Sequence, residues 1–235
     1  MKNREAILIA IGLLGLGISL GIFINKGLSS ISSKNRTVAV RGLSEREVEA
    51  NKVTWPVVYK VIGNELPAIY SQIEAGNKIV VDFLKGSGLT DADYTICAPN
   101  VVDKKADRWS TENILTRYTA TSSIIVTTDK VQIVQKLIQN QGELLKKGVA
   151  VIIDNYEYST IYEYTELNSI KPEMIAEATK NARLAAEKFA EDSGSKVGKI
   201  MNASQGQFSI ENRDPYTPFI KKIRVVTSMT YSIED

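Results

Sequence analysis

The sequence predicts an α+β fold: antiparallel sheet covered by three helices, in the order β-β-α-β-β-α-β-α-β-β, preceded by one N-terminal transmembrane helix. Three observations predict it. Residues 6–24 are uncharged and mainly apolar. Three later stretches repeat small or apolar residues at spacings of three and four, the helical period. Strand-like runs fall in pairs between those helices, which points to antiparallel sheet with helices on one side.

The N-terminal run, "AILIAIGLLGLGISLGIFI", would reach about 28 Å as a helix, close to a bilayer core. It is longer than the apolar core of a signal peptide, and no Ala-x-Ala follows it, so an uncleaved anchor is expected. Residues 1–5 then form a short cytoplasmic head, and residues 25–36 a serine-rich flexible tether. Residues 37–235 form the folded body, placed outside the cytosol with the N-terminus inside. Gly17 and Gly21 make a GxxxG spacing that would let two anchors approach closely. The "GLLGLG" run lies inside this apolar stretch and follows no strand, so it is no nucleotide loop.

The body opens with apolar alternation in "TVAVRGLSE", which Gly42 breaks. "VEANKVTWPVVYKVIG" continues as a long strand, with Pro56 marking an edge or a bulge. A helix follows with Leu66, Ile69, Ile73, Gly76, Val80 and Phe83 on one face, Asn64 as N-cap and Gly86 with Gly88 as its stop. Strands are expected over 93–109 and 112–127. The next helix carries Val131, Val134, Ile138, Gln141 and Leu145, begins at Asp129 and ends at Gly148. Residues 149–165 read as one strand. The third helix has Pro172 in its first turn and an inner stripe of Ile175, Ala178, Ala182, Ala185 and Phe189. Two strands, 197–211 and 220–234, flank the hairpin tip "NRDPYTP".

Absences narrow the chemistry. The chain has no histidine, which excludes Ser-His-Asp and Cys-His nucleophile schemes and histidine-ligated zinc. Its single cysteine, Cys97, forms no internal disulfide and reads as a packed strand residue. Beyond residue 26 the chain holds 26 basic and 26 acidic residues. A neutral body lacks the electrostatic footprint for nucleic acid.

In an extended strand Tyr156, Tyr158, Tyr162 and Tyr164 share one face. Cross-strand packing, a subunit interface and a small-molecule platform are the three readings, with packing first and interface second. Ser193 and Lys196 match Ser-x-x-Lys, but at a helix end and without companion motifs, so helix termination is the reading. Asp91, Asp93, Asp103 and Asp107 lack EF-hand spacing and read as solvated loop charge. No catalytic residue, metal site or cofactor is expected.

Three stretches carry a resemblance. "VAVRGLSEREVEANKVTWPVVYKV", "YTELNSIKPEMIAEATKNARLAAEKFAEDSGSKVGKIMNASQGQFSI" and "IKKIRVVTSMTYSIE" resemble the opening strands, the alanine-rich helix with its following strand, and the closing strand of the SIMPL-domain family of bacterial envelope proteins. The resemblance implies an envelope domain, often oligomeric, with some relatives linked to oxidative-stress defence and no agreed catalytic residues. Together these readings give a non-enzymatic, single-pass protein of the bacterial inner membrane, its body in the periplasm or outside the cell, self-associating as a scaffold or protective module. The alternatives are a small-molecule-binding or weakly catalytic domain using carboxylates and tyrosines, or an accessory subunit of a membrane complex.

Overall fold

The computed structural model describes residues 15–24, 36–106, 115–153 and 156–234. The elements are β1 (Thr37–Glu49), β2 (Lys52–Gly63), α1 (Leu66–Gly86), β3 (Tyr94–Ile96), β4 (Asn100–Asp103), β5 (Tyr118–Thr128), α2 (Val131–Gln139) and α3 (Gly142–Lys146). They continue with a 3-10 turn (Tyr156–Tyr158), β6 (Ile161–Glu163), α4 (Leu167–Asp192), β7 (Lys196–Gln205), β8 (Ser209–Asn212) and β9 (Ile220–Glu234). The α+β class with antiparallel sheets is present as expected.

The transmembrane helix is not. Among the described residues no helix is long and apolar enough to cross a membrane. Residues 15–24 are helical, a length of roughly 15 Å, about half a bilayer core. The rest of the expected 6–24 span, the head and the tether over 25–35 lie outside the described residues. The single-pass inner-membrane placement rested on that span and is corrected with it.

The chain divides into two compact units that interleave in sequence. The first takes residues up to Arg46, Asn168–Ser209 and Ile223 onward. Its strands belong to the sheet ordered β1-β9-β7, with β8 also pairing β9. Helix α4 buries Met174, Ala178, Ala182, Ala186 and Ala190, a strict spacing of four. Ala182 and Ala186 pack with Val40, Met229 and Tyr231. The expected stripe therefore has the right centre and the wrong flanks: Phe189 is exposed and Ile175 only half-buried. Gly42 gives the reason. A Cβ there would lie 1.8 Å from Ala178 O and 2.4 Å from Ala182 N, so sheet and helix approach too closely for anything larger than a methyl between them. Gly42 lies inside β1 rather than ending it. Ser44 Oγ donates to Glu177 at 2.8 Å and Asn181 Nδ2 to Leu43 O at 2.8 Å, pinning the helix along the strand. The helix starts at Leu167, so Pro172 lies one turn further in than expected.

The second unit takes Glu47–Leu167 and Ile210–Lys222. Its sheet runs β3-β5-β2-β6, with β4 also on β5. β2 and β5 pair without a break from Val53↔Thr128 to Gly63↔Tyr118. Val53, Trp55, Val57 and Tyr59 alternate onto one face and join a core that includes residues of α1, α2 and α3. Helix α1 buries Ile69, Ile73, Gly76, Val80 and Leu84. Gly76 sits over the Tyr59 ring, where a Cβ would meet Oη at 2.6 Å. That hydroxyl lies 2.8 Å from Ile73 O and 2.9 Å from Asn77 Oδ1, which Ser122 Oγ also reaches. Asn64 does not cap α1. Its Oδ1 accepts from Arg117 N–H at 2.8 Å and so ties the end of β2 to the start of β5.

Three expected elements divide. The strand over 93–109 is interrupted between β3 and β4, where Pro99 has no N–H to give a ladder. The helix after Asp129 breaks at Asn140 and Gln141 into α2 and α3, so Leu144 is buried and Leu145 exposed. The strand over 197–211 becomes β7 and β8. Gly206 stands between them, where a Cβ would lie 2.9 Å from Val226 O.

Candidate functional site

The tyrosine segment is not one strand. Val151 bridges Tyr59, Tyr156–Tyr158 form the 3-10 turn, and β6 pairs only Lys52–Thr54 of β2. The two partners leave an interval. Ile152 N–H donates to Val58 O at 2.7 Å, β6 stops at Thr54, and among the described residues Trp55–Val57 have no strand partner on that edge. Pro56 occupies the interval, consistent with the edge reading from the sequence; lacking an N–H, it also discourages an added strand.

A cleft of about 590 Å³ opens at this place, lined by Trp55, Pro56, Ile152, Tyr158, Tyr162 and Pro218, with Ile138, Gln141, Ile153, Ser159 and Thr160 completing it. Among the described residues no charged side chain lines it. Tyr162 is 9% exposed and meets Phe219 edge-to-face at 6.1 Å; burial alone pushes its phenol upward in pKa. Trp55 is 4% exposed. Tyr164 is half-buried outside the cleft, and the Tyr156 side chain lies outside the described residues. Geometry thus brings Tyr158 and Tyr162 together with Trp55, Gln141 and Pro218, which are remote in sequence. Pro56, Tyr158 and Tyr162 were the advance signals.

A second feature lies in the first unit. β7 is an edge strand, and among the described residues no strand covers its outer side. Its register with β9 shifts twice, between Val197 and Ile200 and between Ile200 and Asn202. Those bulges, with Lys196 and Lys199, blunt it for strand pairing. Its side chains are another matter. Ile200 and Met201 are 51% and 54% exposed. Ile200 pairs with Tyr231 and so faces the helix-covered side. Phe189, 63% exposed, sits one turn after Ala185, which packs against the same core as Val197. Phe189 therefore shares a flank of α4 with Ala185.

The acidic residues do not converge. Asp91 pairs with Lys85 and Tyr94, and Asp103 with Arg117. Asp93, nearly buried, accepts from Thr128 Oγ1 at 2.6 Å, Lys130 Nζ at 2.9 Å and the Thr90 N–H at 2.7 Å. The Thr128 hydroxyl and Lys130 ammonium hold its pKa far below the usual carboxylate range. Asp107 lies outside the described residues. Ser193 Oγ donates to Ala190 O at 3.0 Å, closing α4 before Gly194 at φ +68°. Cys97 is half-buried, and its N–H is bonded to Ser123 O. Gly17 and Gly21 have nothing within 4 Å of a Cβ position.

The model for SIMPL, a protein of unknown function (DUF541), matches residues 38–230. The chain belongs to the SIMPL family. None of the curated proteins matches it. The SIMPL match takes in all of β2 to β8 and most of β1 and β9, so both units are parts of the family's fold. The cleft and the exposed set beside β7 both lie within the matched residues.

Proposed function

We propose that this SIMPL chain is a non-catalytic, self-associating module whose output is an assembled scaffold. One observation carries the reading: three large apolar side chains of the first unit, Phe189 on α4 with Ile200 and Met201 on β7, stand more than half exposed. Contiguous exposed apolar surface marks interaction sites, and the most economical partner is a second copy, related by a two-fold axis that uses the same patch twice. The blunted β7 edge favours contact through side chains over open-ended strand addition. A protective role, as the resemblance to relatives linked to oxidative stress implies, would act through the assembly. Met201 is the exposed oxidisable thioether on that surface.

The test is light scattering coupled to size-exclusion chromatography on the full chain at micromolar concentration, alongside Phe189→Ser with Ile200→Ser. An oligomer that the double variant dissociates, with its melting temperature kept, supports the reading. A monomeric wild type removes it.

A further inference from the structure

We infer that the cleft beside the open interval of β2 is a binding site for a neutral, flat, mainly apolar molecule that carries a hydrogen-bond acceptor. Three features specify the class. Among the described residues the lining has no charged side chain, so a charged ligand would lose its hydration without gaining a counter-ion from them. The walls include Trp55, Tyr158, Tyr162 and two prolines, rigid surfaces that suit a planar ring system. The volume is within the range of small-molecule sites.

A further feature is polar. Trp55 and Tyr162 are both more than nine-tenths buried, and among the described residues neither the indole N–H nor the phenol O–H has a hydrogen-bond partner. Neither is sealed inside the protein: Thr227 Oγ1 is the fully enclosed polar side-chain atom without a partner among the described residues. The two groups therefore keep some access to solvent, and both residues line the cleft. An indole N–H only donates, so its complement is an acceptor such as a carbonyl. Gln141, Ser159 and Thr160 supply further polar contacts. A peptide strand is a poor occupant, because Pro56 removes a donor from the interval.

Equilibrium dialysis of the full chain against three probes tests this: flavone, which is neutral, flat and bears a carbonyl; flavone-8-acetic acid, its anionic counterpart; and 2-phenylnaphthalene, flat without an acceptor. Flavone is expected to bind and to raise the melting temperature, with the anion at least about tenfold weaker. Trp55→Phe and Tyr162→Phe each weaken flavone about fivefold and leave 2-phenylnaphthalene unchanged. Ser159→Trp, at an exposed rim position, blocks the mouth and abolishes binding without lowering the melting temperature, so it decides the matter should a core variant fail to fold. Absence of flavone binding, equal binding of the anion, wild-type affinity in both Phe variants, or undiminished binding to Ser159→Trp would each overturn the inference. The oligomer assay reads independently, so failure of either proposal leaves the other standing.

Discussion

Gly42→Ala is the sharpest probe of how the first unit is built. The new methyl would start 1.8 Å from Ala178 O, 2.4 Å from Ala182 N and 2.9 Å from Ala182 Cα. All three are backbone atoms of α4, so no rotamer change relieves the clash. Opening the shortest contact to 3.0 Å requires sheet and helix to part by about 1.2 Å. That separation loosens Met174, Ala178, Ala182, Ala186 and Ala190, which are all fully or almost fully buried. Adding a methylene to a packed core costs about 1–3 kcal/mol; with backbone on the far side, a loss of about 3 kcal/mol or more is expected. At this chain length that lowers Tm by roughly 6–12 °C. Thermal unfolding by circular dichroism measures it, with Gly86→Ala as control because nothing lies within 4 Å of that Cβ position. A Gly42→Ala protein melting within about 2 °C of wild type would refute the close-contact account.

Other perturbations have equally definite outcomes. Tyr59→Phe removes a buried hydroxyl from Ile73 O and Asn77 and should lower the urea-unfolding free energy by about 1–2 kcal/mol; an unchanged midpoint and slope would mean the network contributes nothing. Asp93 has a depressed folded pKa, so its stabilisation is complete above the unfolded carboxyl value of about 3.9 and is lost as pH falls below it toward the folded value. Urea midpoints measured from pH 7 to pH 2 should accordingly fall less steeply on the acid side in Asp93→Asn than in wild type, and parallel curves would contradict this. At neutral pH that same variant should be destabilised by about 2 kcal/mol through weakened bonds to Thr128 and Lys130.

How much of this was legible in sequence depended on whether the deciding contact was local. The α1 face is visible because Ile69, Ile73 and Val80 follow the helical period, and β9 because alternation persists across its whole length. The phase of α4 was only half visible. Periodicity favours Ile175 and Phe189 as core residues, but the approach of Gly42 admits only methyl groups, so Phe189 turns outward; that constraint comes from a strand some 140 positions away. The break at Asn140 and Gln141 has only Gly142 beside it as a signal, and the helical spacing that runs on to Leu145 hides it. The tyrosine segment alternates like a strand, yet β2 pairs it only over Lys52–Thr54 and at the single bridge from Tyr59 to Val151. The apolar N-terminal run satisfied a composition rule for a membrane span, while the described helix there covers only residues 15–24. The cleft was beyond reach because Trp55, Gln141, Tyr158 and Pro218 meet only in the fold, although Tyr158, Tyr162 and Pro56 had each drawn notice.

The claim that SIMPL architecture here acts by assembling is tested most directly by the molar mass of the full chain in sedimentation equilibrium. The account predicts a mass that is a whole multiple of 25.9 kDa and that collapses to the single-chain value when Phe189 and Ile200 are both replaced by serine. A wild-type mass equal to one chain across the micromolar range, or an assembly indifferent to those two substitutions, would contradict it.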